Sequence, residues 1–274
     1  MLQKIPVKDA EKFTSIFSSF AYSLNPYYLA YNGFYEQEDD EVFLYERDVF
    51  YRNDFPFIAL PRNKKHWARL IANYVSQDRI EELKKEEIEI KEAIAIGSEY
   101  YYKTKDFIAM NSPKMKGFRK HCVKFEKSYT FKIKNTYSKP KILQFLDTWE
   151  KSQKNKNELF SMATEYERFC IEKCKSIDGK WLFLEIDGEL AGYNLSYQLN
   201  KQHWIGVQQK VLYQYKGISR FLLHKRASQF PKTEAFSLGI EAHDKGISEF
   251  KEGLHPFKKV DRYYVITAPK LSPL

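Results

Sequence analysis

Residues 210–230, KVLYQYKGISRFLLHKRASQF, decide the fold because they read as a strand, a glycine turn and a helix in direct succession. The apolar run that ends at Tyr213 is typical of a strand, and residues 214–217 form the turn. The segment 218–230 has helix-forming composition, and Pro231 ends it. The first N–H groups of a helix have no intrahelical acceptor, and the helix dipole adds positive charge there. The sequence therefore predicts an anion-binding turn.

The composition indicates a folded protein with a basic surface. The chain has 274 residues, of which 43% are hydrophobic and 30% charged, and its formal net charge is +9. This length fits one large domain or two smaller ones, and we favour two. No apolar run approaches the ~20 residues of a membrane helix, and the first nine residues lack a signal-peptide core. We therefore expect a cytoplasmic location and no transmembrane segment.

Positive charge is concentrated between residues 114 and 134, a segment that contains eight lysines and arginines and one acidic residue, Glu126. Such a cluster is either a solvated helix face or a contact surface for nucleic acid, phosphate or anionic lipid, and the sequence leaves both open. The three cysteines, Cys122, Cys170 and Cys174, are expected to be small buried thiols. Because no cysteine and histidine cluster or zinc helix is present, we predict no metal.

The first half of the chain alternates helix and strand patterns. An amphipathic helix is predicted at residues 9–24, a three-strand meander at 42–60 and a helical stripe at 67–74. The charged run 78–92 reads either as one helix or as a short helix followed by a strand. Beyond it we predict a strand around residue 101, a helix with the basic outer face, and a strand that ends at residue 134.

The second half is predicted to contain, in order, two helices, three antiparallel strands, a helix, a strand, a helix and a strand. Asp187 and Gly188 favour the positive φ angles of a two-residue hairpin turn between the first two strands. The strand 236–240 follows a crossover helix, so parallel pairing with the third strand is expected.

This order, with a Q-x-x-G-x-S turn before a helix, resembles the GCN5-related N-acetyltransferase (GNAT) superfamily. Its turn motif is Q/R-x-x-G-x-G/A, and here Ser219 replaces the final small residue. The first half looks like a degenerate second copy. Residues 100–105 and the following GFRK helix resemble the family that includes the C-terminal domain of bacterial phosphatidylglycerol lysyltransferases. The resemblance implies an α/β (α+β) fold of two tandem GNAT-like domains, residues 1–134 and 135–274, each with a mixed, mostly antiparallel sheet flanked by helices.

The resemblance also implies an acyl- or aminoacyl-transferase. The donor would be acyl-CoA or acetyl-CoA, or alternatively aminoacyl-tRNA. The acceptor would be an amine or hydroxyl of a small molecule or lipid, held between the halves. The competing interpretation is a non-catalytic GNAT-fold binding module for RNA, anionic lipid or protein.

The predicted site residues fall into three groups. The donor would be bound by the turn and the start of its helix, namely Gln214, Lys216, Gly217, Ile218, Ser219 and Arg220. The substrate would be bound by Arg119 and Lys120, which lie in the first half of the chain. Glu241 and His243 are the base candidates, since strand ends in open sheets border ligand crevices and imidazole titrates near neutrality. Tyr263 or Tyr264 would protonate a leaving thiolate, as tyrosines do in some superfamily members.

Overall fold

The structure is a computed structural model that describes residues 3–4, 41–45, 48–52, 57–59, 71–153, 164, 167–168, 171, 179–198, 201–241 and 243–268. The strands are β1 (Gln3–Lys4), β2 (Glu41–Tyr45), β3 (Asp48–Arg52), β4 (Phe57–Ala59), β5 (Ile71–Ser76), β6 (Glu89–Lys103), β7 (Phe131–Lys134), β8 (Lys180–Ile186), β9 (Glu189–Gln198), β10 (His203–Val211), β11 (Ala235–Ile240) and β12 (Lys258–Ala268). The helices of the described part are α1 (Gln77–Lys85), α2 (Thr104–Ala109), α3 (Lys116–Ser128), α4 (Lys139–Ser152), α5 (Ile218–Ser228) and α6 (Lys245–Glu252). The predicted helix at residues 9–24 lies outside the described residues, and so do Cys170 and Cys174. Of the second helix predicted for the second half, residues 159–174, only positions 164, 167, 168 and 171 are described.

The chain forms two compact units. Unit 1 comprises residues 1–99, 240–248 and 259–274, and unit 2 comprises residues 100–239 and 249–258. Strand β6 contributes to both, since its residues through Glu99 belong to unit 1 and those from Tyr100 to unit 2. That residues 1–134 and 135–274 form two copies of one fold stays a prediction. The compact units divide the chain elsewhere, and the basic helix α3 belongs to unit 2.

Unit 1 contains a mixed sheet with the strand order β1-β2-β3-β4-β5-β12-β6. The predicted meander is confirmed, because β2, β3 and β4 pair antiparallel in succession. The predicted helical stripe at residues 67–74 is wrong from Ile71 onward. Those residues form β5, which pairs antiparallel with β12. Aromatic and β-branched side chains fit a pleated surface, and sheet pairing overrides a helical spacing this short.

Unit 2 contains the sheet order β6-β11-β10-β9-β8-β7. Strands β7 to β10 are antiparallel neighbours, and β10 and β11 pair in parallel as predicted. The hairpin between β8 and β9 turns at Asp187 and Gly188, whose φ angles are 52° and 87°. Both angles are positive, as a two-residue hairpin turn requires, so the Asp-Gly signal predicted this hairpin correctly.

The core of unit 2 joins helices α3 and α5 through aromatic side chains. Phe118, Cys122 and Phe125 line the buried face of α3 as predicted. Phe125 stacks on Phe221 of α5 with ring centroids 4.5 Å apart. Burial raises the pKa of the Cys122 thiol to about 12, which confirms the expected inert thiol at this position.

Helix α5 is covered on two sides. Its buried residues include the apolar side chains of Ile218, Phe221, Leu222, Leu223 and Ala227. A helix with apolar residues all round needs neighbours on more than one side. The sheet supplies one of them, through contacts to β9 and β10, and helices α2 and α3 supply the others.

Candidate donor site

The glycine turn ends at the N-terminus of α5. Gly217 is the residue that caps the helix, with φ +92°, and no side chain accepts a hydrogen bond there. The N–H of Ile218 donates to the carbonyl of Tyr215 at 3.2 Å, and the N–H of Phe221 donates to that of Gly217 at 3.0 Å. Among the described residues, no acceptor takes the N–H groups of Gly217, Ser219 and Arg220. Backbone donors are thus available at the positive end of the helix dipole.

Helix α3 packs directly against this turn. A Cβ atom on Gly217 would lie 2.6 Å from the carbonyl oxygen of His121 and 3.4 Å from the Cβ of Phe125. Two features of the structure require glycine at this position, namely the positive φ angle and the α3 backbone at this distance.

The contact between Gly217 and His121, which lie 96 positions apart in the chain, brings two basic features together. Partial burial lowers the pKa of His121, and the nearby positive charges of Arg220, Lys120 and Lys124 lower it further. Since Arg220 comes from α5 and the two lysines from α3, the free amides and the basic face border the same region of unit 2. These two features belong to different predicted domains, and His121 is not among the predicted site residues.

Several predicted side chains already have partners within unit 2. The Arg220 guanidinium carbon lies 5.8 Å from the ring centroid of Phe250. Arg119 donates to the carbonyl of Met110 at 2.5 Å, so it also holds the end of α2. Lys120 is exposed on the outer face of α3. Lys120 therefore fits the predicted role of an anion ligand better than Arg119 does.

The remaining turn residues are exposed to solvent or form hydrogen bonds with other parts of the protein. Gln214 is exposed. Lys216 is exposed too, and its N–H donates to the hydroxyl of Tyr129 at 3.1 Å. Ser219 accepts from the amide of Gln209 at both its carbonyl and its hydroxyl oxygen, each at 3.1 Å. Tyr129 and Gln209 are thus supporting residues that no local sequence signal identified, because both act across 10 or more residues.

Strands β10 and β11 part beside this turn. Their parallel register runs from His203–Ala235 to Ile205–Ser237 and ends there, although β10 continues to Val211 and β11 to Ile240. A register shift in the β9–β10 ladder lies between Gly206 and Gln208. Carboxyl ends of parallel strands that separate leave a crevice in which ligands bind in α/β sheets.

The four predicted catalytic residues all belong to unit 1. Glu241 is 7% exposed, and both of its carboxylate oxygens accept from the N–H of Ser98, at 2.9 and 2.8 Å. The hydroxyl of Ser98 donates to Asp261 at 2.6 Å. Burial with a backbone partner gives Glu241 a definite structural function.

His243 and the two tyrosines have different environments. His243 is exposed with φ +61°, and its Nε2 lies 3.1 Å from the carbonyl of Ala95. Tyr263 and Tyr264 are half-buried in β12. Burial raises the pKa of Tyr264, and the negative charge of Glu92 raises it further, so this phenol stays protonated at neutral pH.

Two further kinds of feature, a metal-binding cluster and a membrane-spanning helix, are absent from the described residues. No group of three or more histidine, cysteine, aspartate or glutamate side chains is arranged to hold a metal ion there. Across that same part of the chain, no helix is both long and apolar enough to cross a bilayer.

The mixed sheets, the parting strands and the uncapped turn before α5 define a GNAT-like α+β protein. The family described as phosphatidylglycerol lysyltransferase, C-terminal, matches residues 60–263. The chain therefore belongs to that family, a GNAT-like group of aminoacyl- and acyltransferases. A comparison with curated proteins finds no significant match.

Solved structures share this fold at low sequence identity. A conserved protein of unknown function from Bacteroides thetaiotaomicron is similar with a TM-score of 0.79 and 12% identity, over 97% of this chain and 99% of that one. L-PGS from Bacillus licheniformis is similar with a TM-score of 0.67 and 15% identity, over 99% and 95%. A tandem GNAT protein from the clavulanic acid biosynthesis pathway gives a TM-score of 0.50 and 11% identity, over 97% and 98%. These matches support the GNAT-like α+β part of the predicted fold class.

Proposed function

We propose that the protein is an aminoacyl- or acyltransferase whose donor binds through its phosphate groups at the start of α5, beside the basic face of α3. The observation that carries the proposal is the contact between Gly217 and His121, because it places free helix amides and lysine charges around one surface region. Amides and cations together are the usual surroundings of a bound phosphate.

Aminoacyl-tRNA is the preferred donor within this proposal, and acyl-CoA is the alternative. The family name describes lysyl transfer to phosphatidylglycerol, which favours a lysyl donor and a lipid hydroxyl acceptor here. The basic face of α3 extends the site with Lys116, Lys124 and Lys127, and a nucleic acid backbone offers more phosphates for such a surface than one CoA molecule does. A cytoplasmic location and a first copy of the GNAT fold at residues 1–134 belong to the same proposal.

The chemistry assigns roles to the unit 1 residues. Attack by an acceptor hydroxyl on the donor ester requires a group that takes the proton and a group that protonates the leaving oxygen or sulfur. His243 or Glu241 would take the proton, and the protonated phenol of Tyr264, or the hydroxyl of Tyr263, would donate one. His243 is the better base on its exposure, because the carboxylate of Glu241 is bound to Ser98.

A non-catalytic binding module is the second candidate function, and the engagement of Glu241 by Ser98 is the observation that favours it. Binding and transfer assays separate the two. The purified chain is titrated with CoA, acetyl-CoA, lysyl-tRNA and uncharged tRNA while its thermal unfolding is followed. A ligand at 100 times its Kd should stabilise the protein by about 2.7 kcal/mol.

The transfer assay then uses the donor that binds, with vesicles that contain phosphatidylglycerol. Radiolabelled lysine in the lipid fraction supports the enzyme, whereas binding of tRNA without any transfer supports the binding module. A Gly217 variant is a poor control for either assay, because any side chain there meets the His121 carbonyl. Lys120→Gln combined with Lys124→Gln tests the site without disturbing the core, since both side chains are exposed.

A further inference from the structure

The point at which β10 and β11 part is marked by a bulge. Gly206 pairs with Ser196 of β9, while Gln208 pairs with Leu195, so one extra residue lies in β10. A bulge interrupts the ladder of hydrogen bonds and bends the strand that carries it. The bend begins one residue after Ile205, the last β10 residue that pairs with β11.

Arg226 of α5 occupies the inner side of this bulge. The residue is 2% exposed, and its Nη2 donates to the carbonyl of Leu195 at 3.3 Å and to that of Gln208. These two residues are register partners at the bulge. The guanidinium therefore provides hydrogen bonds for carbonyls at the position where the ladder is interrupted.

The guanidinium group of Arg226 fits beside Gly206 because glycine has no side chain. A Cβ atom on Gly206 would overlap Nη1 of Arg226, and it would lie 3.0 Å from Cδ2 of Leu238 in β11. A residue with any side chain at this position would displace one of the two. The glycine and the arginine are thus complementary in shape.

Lys251 of α6 binds the main chain of β11, as Arg226 binds that of β10. It is 5% exposed, and its Nζ donates to the carbonyls of Leu238 at 2.9 Å and Gly239 at 2.8 Å. These carbonyls follow Ser237, the last β11 residue that pairs with β10. A buried cation thus binds the main chain of each strand just beyond the end of their pairing.

We infer that Arg226 and Lys251 are positioning residues that keep β10 and β11 apart beyond the Ile205–Ser237 pair, so that the donor can bind at the separated strand ends. Carbonyls that already accept from a cation do not need a partner strand, and the bulge that Arg226 stabilises directs β10 away. The role in donor binding rests on the proposed function. The role in strand separation does not.

The test compares crystal structures of the full chain with Arg226→Met, Arg226→Lys, Lys251→Met and Gly206→Ala. Lys225→Met is the matched control, because Lys225 is the neighbouring cation of α5 and forms a surface ion pair with Glu126 at 3.3 Å. In Arg226→Met or Lys251→Met, we expect the β10–β11 pairing to extend by at least one residue pair. Arg226→Lys and the control should keep the original end.

The inference is overturned if Arg226→Met and Lys251→Met fold and their pairing still ends at Ile205–Ser237. If Arg226→Met does not fold, Gly206→Ala decides, because the added methyl group must displace the guanidinium or Leu238. A displaced Arg226 with unchanged pairing then contradicts the inference, and altered pairing supports it.

Donor affinity is measured on the same variants with lysyl-tRNA and CoA as probes. We expect a rise of about tenfold in Kd for Arg226→Met and no change for the control, because closed strands would leave only about a tenth of the protein competent to bind the donor. If the strands close in the variants but wild-type protein binds neither probe, the proposed function fails while the strand-separating role stands. If wild-type protein binds a probe and the strands do not close, only the strand-separating role fails.

Discussion

Gly217 and His121 are in contact across two helices, and a Cβ atom at position 217 would lie 2.6 Å from the His121 carbonyl oxygen. This contact fixes the turn before α5 against the middle of α3. It also explains why the free amides of the turn and the lysines of α3 border the same region, which is the basis of the proposed donor site.

The contact predicts a large stability loss for Gly217→Ala, with Gly188→Ala as the matched control. Both glycines have φ near +90°, but nothing lies within 4 Å of a Cβ on Gly188. Gly188→Ala should cost only the conformational penalty, about 1–2 kcal/mol. Gly217→Ala adds an overpacking cost of about 1–3 kcal/mol. Urea unfolding measures both, and equal losses would show that α3 yields freely at His121.

The double variant Lys120→Gln and Lys124→Gln should weaken tRNA binding and its dependence on salt. Each lost phosphate contact reduces the slope of log Kd against log salt by about 0.7–0.9. Binding is measured at about 50, 100 and 200 mM salt. Lys91→Gln is the control, because Lys91 is exposed in β6 of unit 1. An unchanged slope would remove α3 from the donor site.

His121 should report donor binding through its pKa. In the free protein the pKa lies below the usual value near 6.5, owing to partial burial and the surrounding cations. A phosphate at the site would favour the imidazolium and raise the pKa of His121, so protons are taken up on binding, and affinity increases as pH falls from the pKa of the bound state towards that of the free state. NMR titration with and without donor measures the shift. A pKa that stays constant at saturating donor would contradict this assignment.

The same lowered pKa affects stability in a defined direction. The unfolded chain binds a proton to His121 more readily than the folded chain does, so this contribution to stability is complete above the unfolded pKa and is lost as pH falls below it. His121→Gln should therefore flatten the stability profile between about pH 5 and 7. Urea unfolding at several pH values is the measurement, and an unchanged profile would contradict the depressed pKa.

Glu241→Gln separates structure from catalysis. Glutamine retains one oxygen that can accept from Ser98, so we expect a change in unfolding free energy of about 1 kcal/mol. If Glu241 is the base, the transfer rate falls by about 100-fold or more. If His243 is the base, the rate changes little and His243→Gln shows the large loss instead. Retained transfer in both variants would exclude the two proposed bases together.

Local signals predicted much of the fold. The Asp187–Gly188 hairpin, the turn at Gly217 and the apolar stripe of α3 depend on neighbours within a few residues, and all three are confirmed. The strand at Ile71 was predicted as a helix, because a short apolar run carries both periodicities until pairing with β12 selects one.

The sequence could not predict the interior of the candidate site. The partners of Gly217, Gln209 and Arg226 lie on other elements, and the carbonyls that Arg226 and Lys251 bind are present in every residue type. Glu241 was selected for its strand-end position, and its engagement by Ser98 depends on a residue 143 positions away. Such long-range contacts have no local sequence signature.

The most direct test of the donor site is an NMR titration of backbone amides with lysyl-tRNA and, separately, CoA. We predict that the N–H signals of Gly217, Ser219 and Arg220 shift with the saturation curve of the donor, since these are the free amides at the start of α5. Donor binding that leaves these three signals unchanged would contradict it.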